Sequence, residues 1–292
     1  MKKLISLLLA AGMTASLAAC GSTAASTSSE AASSEASSAA SEAASTAEAA
    51  EAETTGESDL QYIKDKGKMT IGYTVYAPMN YTDENGEFVG FDTELATAVC
   101  EQLGVEPEFV EINWDTKVVE LDAKSIDCIW NGMTLTDDIM ANTACTKPYA
   151  KNAQVVVMKT GSGYTSTADL VGKTVVAEAG SAGETTIQED ENLSQADYVS
   201  KDKQTDCLLE VEAGPSYASA AVLDLTLASA MIGEGTDYAD LEIVDELNAE
   251  EYGVAFRKGS DAAAAVNEAF AALKEDGTMQ ALADKYGLTL AD

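Results

Sequence analysis

From Gly86 to Tyr149 the chain runs through turn, helix and strand signals in an order that only a layered α/β fold accommodates. Asn85-Gly86 reads as a tight hairpin turn, since both residues tolerate positive φ. Asp92 stands where a helix N-cap belongs. Phe91, Leu95, Val99 and Leu103 follow at four-residue spacing, which places one apolar stripe on a helix, and Gly104 ends it. The run from Glu106 to Ile112 reads as a strand. After Pro148-Tyr149, NAQVVVMK reads as a strand leaving this region, and GKTVVAEAGSAGETTI opens a second strand–turn–helix series. Strands near Ala196–Val199 and Ala220–Leu223 alternate with helices near Thr205–Ala213 and Leu225–Met231. A short helix near Leu60–Lys66 and two closing helices complete the pattern. Strand–helix alternation predicts parallel, helix-flanked sheets, and the chain beyond Asp59 suffices for two lobes rather than one core.

The N-terminal part is of another kind. Lys2 and Lys3 precede an apolar run to about Ala15, too short to span a bilayer, and Leu17-Ala18-Ala19-Cys20 fits a lipobox. Residues 1–19 therefore read as a lipoprotein signal peptide and Cys20 as the lipidated residue of a membrane anchor. Residues 20–58 are mostly Ser, Ala, Thr and Glu, without Lys or Arg. Such a segment cannot bury enough apolar surface to fold, so it reads as a tether spanning roughly 35 Å. The formal charge of −33 argues against nucleic acid and anionic lipid surfaces as partners. The chain has no His, and Cys100, Cys128, Cys145 and Cys207 form no C-x-x-C pair, which argues against a zinc site. These four read as buried free thiols, with one disulfide among them left open. No cofactor is expected.

Four spaced motifs carry a resemblance. Gly90-Phe91-Asp92, Trp114-Asp115, Ile126-Asp127 and Gly132-Met133-Thr134-Leu135-Thr136 occur in the order seen in the extracellular solute-binding proteins of family 3, the receptors of polar amino-acid ABC importers. The chain resembles that family over nearly all of Asp59–Asp292. The resemblance implies a type II periplasmic-binding-protein fold (a Venus flytrap), with two interlobe crossings near Tyr149–Ala153 and Glu250–Gly253. It implies lobe 1 over 59–152 and 251–292, and lobe 2 over 153–250. The implied function is capture of an amino acid or related small amine by a membrane-anchored monomer, which delivers it to permease subunits on the extracellular or periplasmic face. Two alternatives stand beside it: an enzyme on the same scaffold, resembling cyclohexadienyl dehydratases, and a ligand-sensing receptor component. Without His no Ser-His or Cys-His nucleophile can be assembled.

By the same resemblance the ligand lies between the lobes. Tyr73, Tyr76 and Trp114 match aromatic positions that face it. Asn131, Gly132, Met133 and Thr134 match the segment that holds its amino and carboxylate groups, and Thr136 reads as a helix cap. Gly180, Ser181 and Ala182 match a turn at a helix start, with Ser181 and Glu184 at capping-box spacing. Asp224 matches an acid that pairs with the ligand ammonium, or else caps the helix that follows, and Glu178 adds negative charge or ends its strand in solvent. Family members carry an Arg that grips the α-carboxylate where this chain has Ile139. The single Arg, Arg257, lies elsewhere. The expected cleft therefore leans negative and favours an amine over an acidic ligand.

Overall fold

A computed structural model describes residues 58–292. The leader, Cys20 and all of the tether but Ser58 lie outside the described residues. In chain order the elements are α1 (Asp59–Lys66), β1 (Lys68–Tyr73), β2 (Tyr81–Thr82), β3 (Phe88–Val89), α2 (Phe91–Leu103), β4 (Glu106–Glu111), α3 (Lys117–Asp122), β5 (Cys128–Thr134), α4 (Asp137–Asn142) and β6 (Ala144–Cys145). There follow β7 (Ala150–Lys159), β8 (Thr174–Glu178), α5 (Ala182–Glu189), β9 (Asp197–Lys201), α6 (Gln204–Ala213), β10 (Ala220–Asp224), α7 (Leu225–Met231), β11 (Leu241–Phe256), α8 (Ala262–Glu275) and α9 (Thr278–Tyr286).

The predicted stripe on α2 is the buried face of that helix. Phe91, Leu95 and Val99 are wholly buried, and Leu103 packs partly buried against the same core. Each such side chain contributes roughly 1.5–3 kcal/mol through burial. The cap is not Asp92, as the sequence led us to expect, but Gly90, at φ 134°. A Cβ there would fall 2.1 Å from the Met79 carbonyl oxygen, so only glycine lets the chain enter the helix at this point. Asp92 lies in the first turn instead, wholly buried. The β2–β3 loop is also longer than a two-residue turn. Asp83 organises it by accepting from the Asn85 and Glu87 amides at 2.9 Å.

One sheet runs through both lobes in the order β4-β1-β5-β11-β7-β10-β8-β9, with β6 beside β11. β4, β1 and β5 are parallel in lobe 1, and β10, β8 and β9 are parallel in lobe 2. Between them β7 and β11 form an antiparallel ladder from Leu241↔Lys159 to Tyr252↔Ala150. The two chain crossings are thus partners in one ladder, Tyr252 opposite Ala150 and Glu250 opposite Asn152. The last residues of β11 continue onto β5, and α8 and α9 return to pack on α2. Cys100, Cys128 and Cys207 are buried free thiols; Cys145, also free, is partly exposed. No helix among the described residues is long and apolar enough to cross a membrane.

Candidate ligand-binding cleft

The parallel strands of both lobes end at one cavity of about 340 Å³. Lobe 1 lines it with Tyr76, Trp114, Lys117, Asn131–Thr134 and Ile139, and lobe 2 with Glu178, Gly180–Ala182, Gln204 and Asp224. The lobes touch across its mouth. Lys117 Nζ donates to the Gly180 carbonyl at 2.7 Å, and Lys203 pairs with Glu111. Gly180, at φ 70°, lies so near that a Cβ would fall 2.8 Å from the Asp115 Cα.

Several expected site residues are already committed to neighbours. The Asn131 side chain is saturated: its Oδ1 accepts from the Thr74 amide and hydroxyl, and its Nδ2 donates to the Thr74 carbonyl and to Asn80 Oδ1. It frames the cleft and offers a ligand only its backbone. The Gly132 amide donates to Asp92 Oδ2, which also accepts from Tyr149 Oη at 2.9 Å. Buried Asp92 thus fixes the strand end that lines the cavity, and burial pushes its carboxyl up to about 7. Met133 is buried opposite Gly253. The Thr134 hydroxyl donates to Glu250 Oε1, and Thr136 Oγ1 caps α4 by accepting from the Ile139 amide.

Of the aromatic residues, Tyr76 and Trp114 line the cavity and are nearly buried. The Tyr76 and Tyr252 hydroxyls share a hydrogen bond of 2.6 Å, and Asn113 Oδ1 accepts from the Asp115 amide to set the turn that carries Trp114. Tyr73 stands away from the cavity. Its ring packs 4.9 Å from Phe88 and 6.3 Å from Phe109, because it ends β1 beside β4 rather than in the loop beyond.

On the lobe 2 wall, Ser181 Oγ caps α5 by accepting from the Glu184 amide, while Glu184 accepts from the Gly180 amide, one residue off a true capping box. Asp224 does not cap α7. Asn152 does so from β7, its Oδ1 accepting from the Thr226 amide and hydroxyl. The Asp224 carboxylate accepts from Asn152, Gln154 and Gln204, and the first two also donate to Glu250. Burial first, then the neighbouring Glu250, holds the Asp224 carboxyl well above its ordinary range. Glu178 is buried, and its Oε1 has no partner among the described residues. Sequence reasoning missed Lys117, Gln204, Asn152, Gln154 and Glu250. No local signal distinguishes them from solvated polar residues on helices and strands.

Burial, and next the Asp224 charge, push the Glu178 carboxyl up to about 8 from 4.5, while Lys117 pulls it down. Between those values the unfolded chain has released a proton that the folded chain retains. The stability this group contributes therefore falls as pH rises from about 4.5 to 8. Thermal melts of the unliganded protein at pH 5 and pH 8 should show the wild type losing more than Glu178→Gln across that interval. Parallel losses would refute the shift.

The model of the bacterial extracellular solute-binding proteins, family 3, matches residues 69–289. The L-cystine-binding protein TcyJ of Escherichia coli K12 is 30% identical over 235 residues, covering 79% of this chain and 86% of that protein. The arginine-binding extracellular protein ArtP of Bacillus subtilis is 27% identical over 290 residues, 98% of each. A substrate-binding protein of an ABC uptake transporter from Streptococcus pneumoniae, solved with bound histidine, is 29% identical and superposes with a TM-score of 0.70, covering 79% of this chain and 96% of that one.

Proposed function

Since the chain belongs to the bacterial extracellular solute-binding proteins, family 3, we propose that it captures an amino acid or related small amine between its lobes and delivers it, chemically unchanged, to the permease of an ABC importer. The observation that carries this reading is the interlobe cavity, with buried Asp224 and Glu178 on one wall and Tyr76 and Trp114 on the other. Carboxylates and aromatic faces together suit an ammonium group. That relatives of the same family bind cystine, arginine and histidine supports a zwitterionic, often basic ligand. Ile139 lines the cavity where the family Arg is expected, which argues against strongly acidic ligands such as glutamate.

In this reading residues 1–19 are cleaved, the lipid on Cys20 holds the protein on the outer face of the membrane, and the tether lets lobe 1 (59–152 and 251–292) and lobe 2 (153–250) reach the permease. The paired crossings of β7 and β11 are the hinge. Two crossings permit hinge motion, and a ligand that touches both lobes favours the closed form.

A thermal-shift screen of amino acids and amines tests the reading. A ligand at about a hundred times its Kd adds roughly 2.7 kcal/mol of stability. Small-angle scattering of the same samples should show a smaller radius of gyration with the stabilising ligand, and the ligand should be recovered unaltered. A screen with no stabilising compound, or a product other than the added ligand, would refute it.

A further inference from the structure

Lys117 lines the cleft yet takes no part in holding an ammonium. It opens α3, directly after the one-turn helix that carries Trp114, and is 7% exposed. Among the described residues it is the only Lys or Arg lining the cavity, against Asp115, Asp138, Glu178 and Asp224. Its ammonium lies 4.9 Å from the centre of the Trp114 ring and donates to the Trp114 carbonyl at 3.2 Å and to the Gly180 carbonyl at 2.7 Å. An ammonium carries three N–H donors, so one remains for a ligand.

The Gly180 contact sets where that charge sits. Gly180 precedes the cap of α5, Ser181, whose Oγ is taken by the Glu184 amide. No acceptor among the described residues meets the Ala182 and Gly183 amides. The lysine charge and the open amide end of α5 thus stand together, and a helix N-terminus attracts negative charge. The carboxyl groups of Glu178 and Asp224, which a ligand ammonium would draw into their charged form, make the other pole. A zwitterion gives each pole a partner. A pure cation leaves the buried Lys117 ammonium facing a like charge, which is costly away from water.

We propose that Lys117 is the carboxylate anchor of this cleft, acting with the α5 N-terminus from a different element than the position Ile139 fills, and that it makes the protein select α-amino acids over the amines formed from them by decarboxylation. The assignment rests on the amino-acid reading of the cleft. Lysine binds a carboxylate as a point charge rather than through a two-pronged grip, so it tolerates ligands that differ in how the carboxylate approaches.

Calorimetry with paired probes tests it: L-arginine with agmatine, L-histidine with histamine, L-lysine with cadaverine. The wild type should bind at least one amino acid more tightly than its amine. In Lys117→Met that ratio should fall about thirtyfold or more, the scale for losing one partner of a buried charge pair. Lys117→Arg should keep most of it. If the methionine variant does not fold, Lys117→Gln, which keeps a donor for Gly180, carries the same test. A lysine that merely latches the lobes predicts equal losses for amino acid and amine; an unchanged ratio would therefore overturn the proposal and leave the amino-acid reading standing. Equal affinity of the wild type for amino acid and amine would overturn it too. Should none of the amino acids bind while an amine does, both the anchor and the amino-acid reading fall.

Discussion

Replacing Asp224 with alanine is expected to weaken ligand binding by about 2–5 kcal/mol, roughly thirtyfold to several thousandfold. The carboxylate is 6% exposed and accepts from Asn152, Gln154 and Gln204, so it is held rigidly where an ammonium would dock. Losing it would leave a desolvated ammonium unpaired. Alanine also frees three amide donors, so Asp224→Asn is the cleaner variant: it removes the charge and keeps one of the two acceptor oxygens, although its NH2 then faces a donor that met the other. A second readout follows from Glu250, which shares the Asn152 and Gln154 donors with Asp224. Burial and this neighbour favour the protonated form of Asp224 in the empty cleft. A ligand ammonium reverses that preference, so binding should release protons. Calorimetry in buffers of different ionisation enthalpy should then give different apparent heats for the wild type and smaller differences for Asp224→Asn, with Glu178 left to release the remainder. Full affinity in Asp224→Asn, or heats independent of buffer in the wild type, would remove Asp224 from the site.

Much of the fold is legible in the sequence, because its cues are local. The α2 stripe, the glycine at its end, and the Thr136 and Ser181 caps each follow from residues within a few positions of one another. What is hidden is non-local. Asp92 has the composition of a cap, yet its partners are the Gly132 amide, forty residues on, and Tyr149. A cap and a buried acceptor look alike in one dimension. The ladder that joins the lobes pairs residues near 152 with residues near 250, and nothing in either strand announces the other. Lys117 begins a short helix whose lysine would ordinarily be solvated; the Trp114 ring and carbonyl and the Gly180 carbonyl of the other lobe gather round its ammonium instead. The cleft illustrates the same limit. Its walls were recognisable by resemblance, but the donors that hold Asp224 come from β7 and α6, which carry no motif. Tyr73 and Tyr76 stand three residues apart, and which one faces the cavity depends on where β1 ends.

The single arginine decides a different property, the stability of lobe 1. Arg257 follows β11 and is 9% exposed. Its Nε and Nη2 donate to Asp59 in the first turn of α1 at 3.0 and 2.8 Å, and its Nη1 to the carbonyls of Leu121 and Ile126. Nη2 also reaches Asp127 at 3.2 Å. Asp127 is wholly buried and shares its charge with Lys66 and the Thr70 amide. One guanidinium therefore ties the entry of lobe 1 to the strand that returns to it. Breaking such a cluster by removing one partner leaves a buried carboxylate without full compensation, at a cost of about 3–5 kcal/mol. Arg257→Met is accordingly expected to lower the denaturation free energy by about that amount and the melting temperature by roughly 6–20 °C for a domain of this size. Ligand affinity at 25 °C should hold, since the cluster lies on lobe 1 away from the cavity lining. Lys66→Met should cost less, because Lys66 meets only Asp127 and the Thr70 hydroxyl, whereas Arg257 also ties Asp59 and the carbonyls of Leu121 and Ile126. Denaturant titration and calorimetry on the same preparations separate the two effects. A loss below about 1 kcal/mol in Arg257→Met would make the cluster a surface-like pair, and a fall in affinity without a fall in stability would place the arginine in the site after all.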